Sequence, residues 1–283
     1  MAEGIQIQGG SVVGHAHLAS GKSNQDAFAW ARSIEDGHLV AVVADGCGSA
    51  PHSGVGAQLG ARLLVQLVLD ALREGLAEEV ALMVAHERLV VELRHLAEAM
   101  SGAPQGTTEF ARVVLEHFLF TVVGVVVDGR AGLVTPFSLG DGLLVLNGEP
   151  HVLGPFANNE PPYLGYQLVD GNRRPFRRHA SLRIEALRSM LLGTDGAVDL
   201  MNAEHVTADR SSSPVGRLGC VGPLRQFWEE ERYFKNPDMV RRRLAVVSKL
   251  KGPRGSLLAD DTTLVVLRRS GAVAADGKGG LSW

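Results

Sequence analysis

Cysteine is scarce: only Cys47 and Cys220 occur among 283 residues, too few for a disulfide framework and in keeping with a reducing compartment. Charge of one sign is also missing. A net charge of -3 gives no broad basic field for a nucleic-acid backbone, so no nucleic-acid partner is expected. Long apolar runs are absent too. Stretches such as Phe118 to Val127 fall short of the roughly 20 residues that cross a bilayer, so no membrane partner is expected. The first residues, MAEGIQIQGGSVVG, lack a basic start and an apolar h-region, which argues against a signal peptide. These absences together predict a cytoplasmic protein. Neither an internal repeat nor a dividing linker is visible.

What is there has the balance of a globular chain, 45% hydrophobic and 21% charged, long enough to bury a full core. His38 to Ala44 (HLVAVVA) reads as a β-branched strand that stops at Asp45-Gly46. Helical spacing follows over Gly56–Arg73 and again over Ala77–Met100. Phe118–Asp128, Leu133–Leu139 and Leu143–Leu146 read as successive strands of an antiparallel meander. A strand over Ser189–Gly193 runs into Thr194-Asp195-Gly196, two helices are expected near Pro223–Arg232 and Pro237–Leu250, and Thr262–Arg268 is a last strand. Strands flanking a helical pair without regular β-α alternation predict an α+β fold with mainly antiparallel sheets. Candidate site residues lie at both ends of the chain, so 1–270 is read as one domain and the Gly-rich 271–283 as a disordered tail.

Four acidic residues or pairs sit at predicted strand edges: Asp26 in Asn24-Gln25-Asp26, Asp45 before Gly46, Asp195 before Gly196, and the pair Asp260-Asp261. Hard cations take oxygen ligands and keep several waters, so a few carboxylates suffice, and gathered carboxylates need cations to relieve their repulsion. The bland reading is a set of ordinary turns. Asp-Gly is a common turn dipeptide and recurs at Asp36-Gly37, Asp128-Gly129, Asp141-Gly142 and Asp170-Gly171. From the residues alone, turns and a metal site both stand.

Order adds information. GHAHLASGKSNQDAF, VVADGCGSAPHSGVGA, FSLGDGLLVLNGE, LLGTDGAVDLM and DDTTLVVLR follow one another along residues 11 to 269. This succession resembles the metal-dependent protein phosphatase 2C family, bacterial type. The resemblance implies an α-β-β-α four-layer sandwich with two mainly antiparallel sheets, and a centre of two Mn²⁺ or Mg²⁺ ions at one edge. It implies that Asp45 bridges the ions with the Gly46 carbonyl on one of them, and that Asp195 and Asp260 bind the second. Asp26 would act on the water shell of the first, and Asp26, Asp45 and Asp195 would form the catalytic set. Asp141 matches a structural Gly-Asp element. The implied reaction is attack of a metal-bridging hydroxide on a phosphoserine or phosphothreonine of a protein substrate, with no Ser or Cys nucleophile needed.

The match departs in three places. Gln25 stands where the family has Glu. Gly21 stands where an Arg grips phosphate, which leaves Lys22, His17 or His15 to replace it. Asp261 stands where Asn is usual, so either it or Asp260 is the ligand. His52, in the loop after Asp45, is a further candidate for substrate contact. These departures keep two other functions open: a phosphatase-like binding module without catalysis, and a metal-dependent hydrolase of a small phosphorylated metabolite. Three other signals are set aside. Gly54 to Gly60 is read as helix packing and not as a dinucleotide loop, because no strand precedes it directly. Cys47 is read as a small loop residue, and the basic run Arg173 to His179 as a solvated loop.

Overall fold

A computed structural model describes residues 4–157, 160–206, 221–252 and 255–270. The predicted tail 271–283 lies outside the described residues.

Two antiparallel sheets are stacked face to face between two helical layers, as the resemblance implied. The first sheet runs β2 (Ala27–Arg32), β3 (Leu39–Gly46), β4 (Phe120–Asp128), β5 (Leu133–Leu139) and β8 (Arg177–Arg178), with β9 (Leu182–Arg183) also paired to β5. The second runs β1 (Ile5–Val12), β13 (Thr262–Arg269), β10 (Ser189–Gly193), β6 (Gly142–Leu146) and β7 (Glu149–Leu153). β11 (Lys251–Gly252) and β12 (Gly255–Ser256) pair with each other as a separate ribbon, and α5 (Tyr166–Asp170) is a short helix between β7 and β8. Burial on both faces explains why the strands read as unbroken apolar runs. In β3, Leu39, Ala41 and Val43 join the core between the sheets, while Val40, Val42 and Ala44 face the helices. β13 divides in the same way, with Val265 and Leu267 inward and Leu264 and Val266 outward.

Over the first sheet lie α2 (Ser53–Arg73), α3 (Glu78–Ser101) and α4 (Thr108–His117). The buried face of α2 repeats at helical spacing, through Ala57, Ala61, Leu64, Val68 and Leu72. Truncating fully buried Leu64 to Ala removes contacts worth about 2–5 kcal/mol. Gly56 and Gly60 bring this helix against the chain at His117 and the ring of Phe120, where a Cβ would collide. That close approach is the role of the glycines that loosely matched a dinucleotide loop. α2 has the length and hydropathy of a membrane span, contrary to the reading of short apolar runs, but here it packs against α3 and the sheet.

The second sheet is covered by α6 (Gly196–Asn202), α7 (Gln226–Glu229), α8 (Arg232–Lys235) and α9 (Met239–Val247), packed through Leu200, Phe227, Tyr233, Val240 and Leu244. The helices predicted near Pro223–Arg232 and Pro237–Leu250 are thus three shorter pieces.

The predicted meander is corrected. β4 and β5 pair, but β6 belongs to the other sheet, between β10 and β7. The chain crosses from one sheet to the other at Gly140-Asp141-Gly142. Both glycines have positive φ, 95° and 139°, which lets the backbone turn where L side chains are strained. α1 (His15–Ser20) and α4 were not anticipated, although Thr107 caps α4 by accepting from the Phe110 N–H at 3.3 Å.

Candidate metal centre

Strand register gathers the acidic residues at one end of the sandwich. Ala27 pairs with Ala44, which sets Asp26, just before β2, beside Asp45 near the end of β3. Gly193 pairs with Leu264, and the Thr194 N–H bonds the Thr263 carbonyl at 3.2 Å. Asp195, after β10, is therefore brought to Asp260 and Asp261, before β13. Asp141 enters from the crossing between the sheets. Gly46 ends β3 against the Gln25 carbonyl oxygen and Ser53 Oγ. A Cβ there would lie 2.7 and 2.8 Å from those atoms, so the turn after Asp45 requires glycine.

Like charges crowd this end. Burial first, then repulsion from Asp26, Asp195, Asp260 and Asp141, pushes the Asp45 carboxyl well above the usual carboxylate range. Asp26, 5% exposed, is raised by burial and by Asp261 and Asp195, although Thr194 Oγ1 donates to its Oδ2 at 2.8 Å. Burial and Asp260 lift Asp195 to about 6. Asp141 is raised by burial, and Asp199, one helical turn beyond Asp195, by burial and Asp260.

Asp260 and Asp261 play different parts. Asp261 is 2% exposed, and its oxygens accept from the Gly14 N–H at 2.7 Å, the Gln25 N–H at 2.6 Å and His17 Nδ1 at 2.9 Å. It ties α1, the Asp26 segment and β13 together. Asp260 is exposed and repels Asp45 and Asp195. His17, Asp260 and Asp261 can also offer ligand atoms within 4.8 Å of one another.

These residues fit divalent cations. Buried polar atoms are normally partnered, yet Asp26 Oδ1 and Asp195 Oδ1 are buried with no hydrogen-bond partner. The donors are hard oxygens on rigid strand ends, the set that Mg²⁺ or Mn²⁺ prefers.

Comparison with known proteins agrees with this geometry. The family model for protein phosphatase 2C matches residues 13–220, more than half of the chain. This chain belongs to the protein phosphatase 2C family. No curated protein matches it. Among solved structures, the serine-threonine phosphatase 2C of Toxoplasma gondii aligns at 14% identity and TM-score 0.58, over 94% of this chain and 95% of that one. A bacterial serine phosphatase aligns at 12% identity and TM-score 0.52, over 95% and 100%. At such identities the likeness is one of fold. Membership supports a metal-dependent phosphatase, in a family that also has regulatory members.

The phosphate-gripping candidates of this phosphatase 2C chain are spread around the Asp45 loop. Lys22 Nζ donates to the Gly48 carbonyl at 2.6 Å, and His17 Nε2 approaches the same glycine. Exposed His52 instead packs its ring on His117, with centroids 5.0 Å apart. Gln25 is buried and its Nε2 donates to the Ala50 carbonyl at 2.7 Å. Sequence reasoning missed Asp199, which the i, i+4 spacing from Asp195 on a short helix signals. It also missed Thr194, and Tyr163, which packs with Cys47 beside the site. A threonine or tyrosine carries no comparable sequence signal.

Proposed function

We propose that this chain is a serine/threonine phosphoprotein phosphatase dependent on two Mn²⁺ or Mg²⁺ ions and acting in the cytoplasm. One observation carries the reading: Asp26, Asp45, Asp195 and Asp260, from four distant segments, meet at one end of the sandwich with their like charges uncompensated. In this reading Asp45, Asp195 and Asp260, with the Gly46 carbonyl, hold the ions, and Asp26 orients their water shell. When bound, such a pair of cations acidifies water and neutralises charge on a phosphoryl group. Phosphoryl transfer needs positioning and charge neutralisation more than a covalent nucleophile. In this reading the protein side of that task falls to Lys22 and His17, both beside Gly48. Asp261 holds His17 through Nδ1 and so fixes where Nε2 points.

A regulatory binding module is the second reading. Lys22 supports it, because its ammonium is already bonded to Gly48 and lacks the bidentate fork of an Arg. The test is hydrolysis of p-nitrophenyl phosphate with and without Mn²⁺, beside Asp45→Ala and Asp195→Ala. Metal-dependent turnover lost in both variants supports the phosphatase. Tight Mn²⁺ binding with no turnover of any phosphomonoester overturns it in favour of the module. Phosphopeptides compared with small phosphorylated metabolites then decide the substrate class.

A further inference from the structure

A cavity of about 410 Å³ lies between α3 and the segment 173–178, and none of its lining residues belongs to the acidic centre. Its walls are apolar, with Leu82, Val80 and Met83 from α3 facing Phe176. Val80 and Met83 are 39% and 45% exposed here. The size and apolar lining are those of small-molecule pockets, which add a few polar groups for orientation.

One such group is present. His86 lines this cavity and is 2% exposed, and apart from a marginal contact to the Arg174 backbone its ring nitrogens make no hydrogen bond. Burial lowers its pKa, opposed by the Arg174 backbone and Glu87 and reinforced by Arg173, so the ring is neutral near pH 7. A neutral imidazole has one N–H to donate and one nitrogen to accept, and buried groups of this kind are normally satisfied. Phe176 meets the imidazole edge to face, with centroids 5.1 Å apart, and packs on Phe137 behind it at 5.2 Å. An aromatic side wall is thus already in place.

The rim argues about charge. Arg173 is paired with Glu87 at 2.9 Å, and Arg178 with both Glu78 and Glu79 at 2.5 and 3.1 Å. Each arginine of the rim already has its carboxylate, so the rim offers a charged ligand no uncompensated countercharge, and an uncharged one needs none.

We propose that this cavity binds an uncharged aromatic molecule carrying a hydroxyl group, with the ring against Met83 and Phe176 and the hydroxyl on His86. The site does not depend on the phosphatase reading and is tested without metal. p-Cresol, toluene and p-toluate are titrated into the full chain, with binding followed by protein NMR including the His86 imidazole signals. p-Cresol is expected to shift those signals saturably and to bind roughly tenfold tighter than toluene or p-toluate, since a site built for a hydroxyl rejects analogues lacking it. His86→Phe reduces p-cresol to the affinity of toluene. Met83→Trp, a change on the helix surface, blocks both while the melting temperature stays near wild type. Unmoved His86 signals, tighter binding of p-toluate, or full p-cresol binding by Met83→Trp would each overturn the proposal.

Discussion

β3 has an Asp-Gly dipeptide near each end, and the two are opposites. Before the strand, Asp36 accepts from Arg130 Nη2 at 2.6 Å, and this guanidinium holds its carboxyl below the usual range. Beside it, Asp128 of Asp128-Gly129 accepts from the N–H groups of Arg130 and Ala131, both at 3.0 Å. At the other end Asp45 meets Asp26, Asp195, Asp260 and Asp141, and its carboxyl is held far above that range. The dipeptide is the same and the company differs. Turn carboxylates with N–H groups or a cation beside them are structural. Those whose main neighbours are other carboxylates await a charge from outside the chain.

The largest expected break in this comparison is catalytic. Asp45→Ala should lower Mn²⁺-dependent p-nitrophenyl phosphate turnover by at least about 10²–10³-fold, the scale of removing one preorganised charge contact. Asp128→Ala should cost stability through its two lost N–H bonds, yet leave turnover per folded molecule within about twofold. Equal losses in both variants would refute the division between the two ends.

Asp261→Ala comes next. Asp261 accepts three hydrogen bonds from three segments, and residues that orient metal ligands are commonly worth about 10–100-fold in activity or metal affinity. A fall of that size is expected, together with about 1–3 kcal/mol of stability from poorly met buried donors. If Asp260→Ala is the milder of the two for Mn²⁺ affinity, Asp261 is the ligand and its structural assignment is wrong.

The same contrast shows what was legible. Continuous apolar strands and the spacing of α2 and α3 are local signals, and they place β3, β4, β5, β10, β13 and the two long helices to within a few residues. β1, β2 and β7 carried no such signal, and the layers came from the resemblance. The sheet switch at Gly140-Asp141-Gly142 was not legible, because pairing partners depend on which face each strand buries and not on its own residues. At the site, order and context singled out Asp26, Asp45 and Asp195, which the fold brings together. The choice between Asp260 and Asp261 could not, since it turns on bonds to Gly14, His17 and Gln25, more than 230 residues away. In the sequence, Asp45-Gly46 differs from Asp36-Gly37 only in context: the apolar strand His38 to Ala44 runs into the first and starts after the second.

Removing metal sharpens the comparison through pH. A carboxyl whose folded pKa exceeds its unfolded one gives stability that is present below the unfolded value and is lost as pH rises through the folded one. Asp195 moves from 3.8 to about 6, and Asp45 and Asp26 shift in the same direction. In EDTA the melting temperature should therefore fall between pH 5 and pH 7.5, by roughly 4 °C or more. Mn²⁺ should raise it more at pH 7.5 than at pH 5. A flat or rising profile in EDTA would mean that the cluster is already compensated within the protein.

The smallest effect belongs to the paired end. Arg130 is half exposed and Asp36 one-fifth exposed at the side chain, so solvent screens much of their attraction. Arg130→Ala also loses a 3.4 Å bond to the Leu72 carbonyl at the end of α2. The melting temperature should drop by no more than about 3 °C, because exposed pairs contribute little. The sign with pH is opposite to that of the metal end. Asp36 has a lowered folded pKa, so what its pair contributes is present above the unfolded value and fades as pH falls through the folded one. The difference between Arg130→Ala and wild type should therefore shrink toward pH 3, whereas Asp45→Asn in EDTA should stabilise the chain, and most at pH 7.5. If both variants destabilise with the same pH profile, the two ends of β3 are electrostatically alike and the acidic cluster is no metal centre.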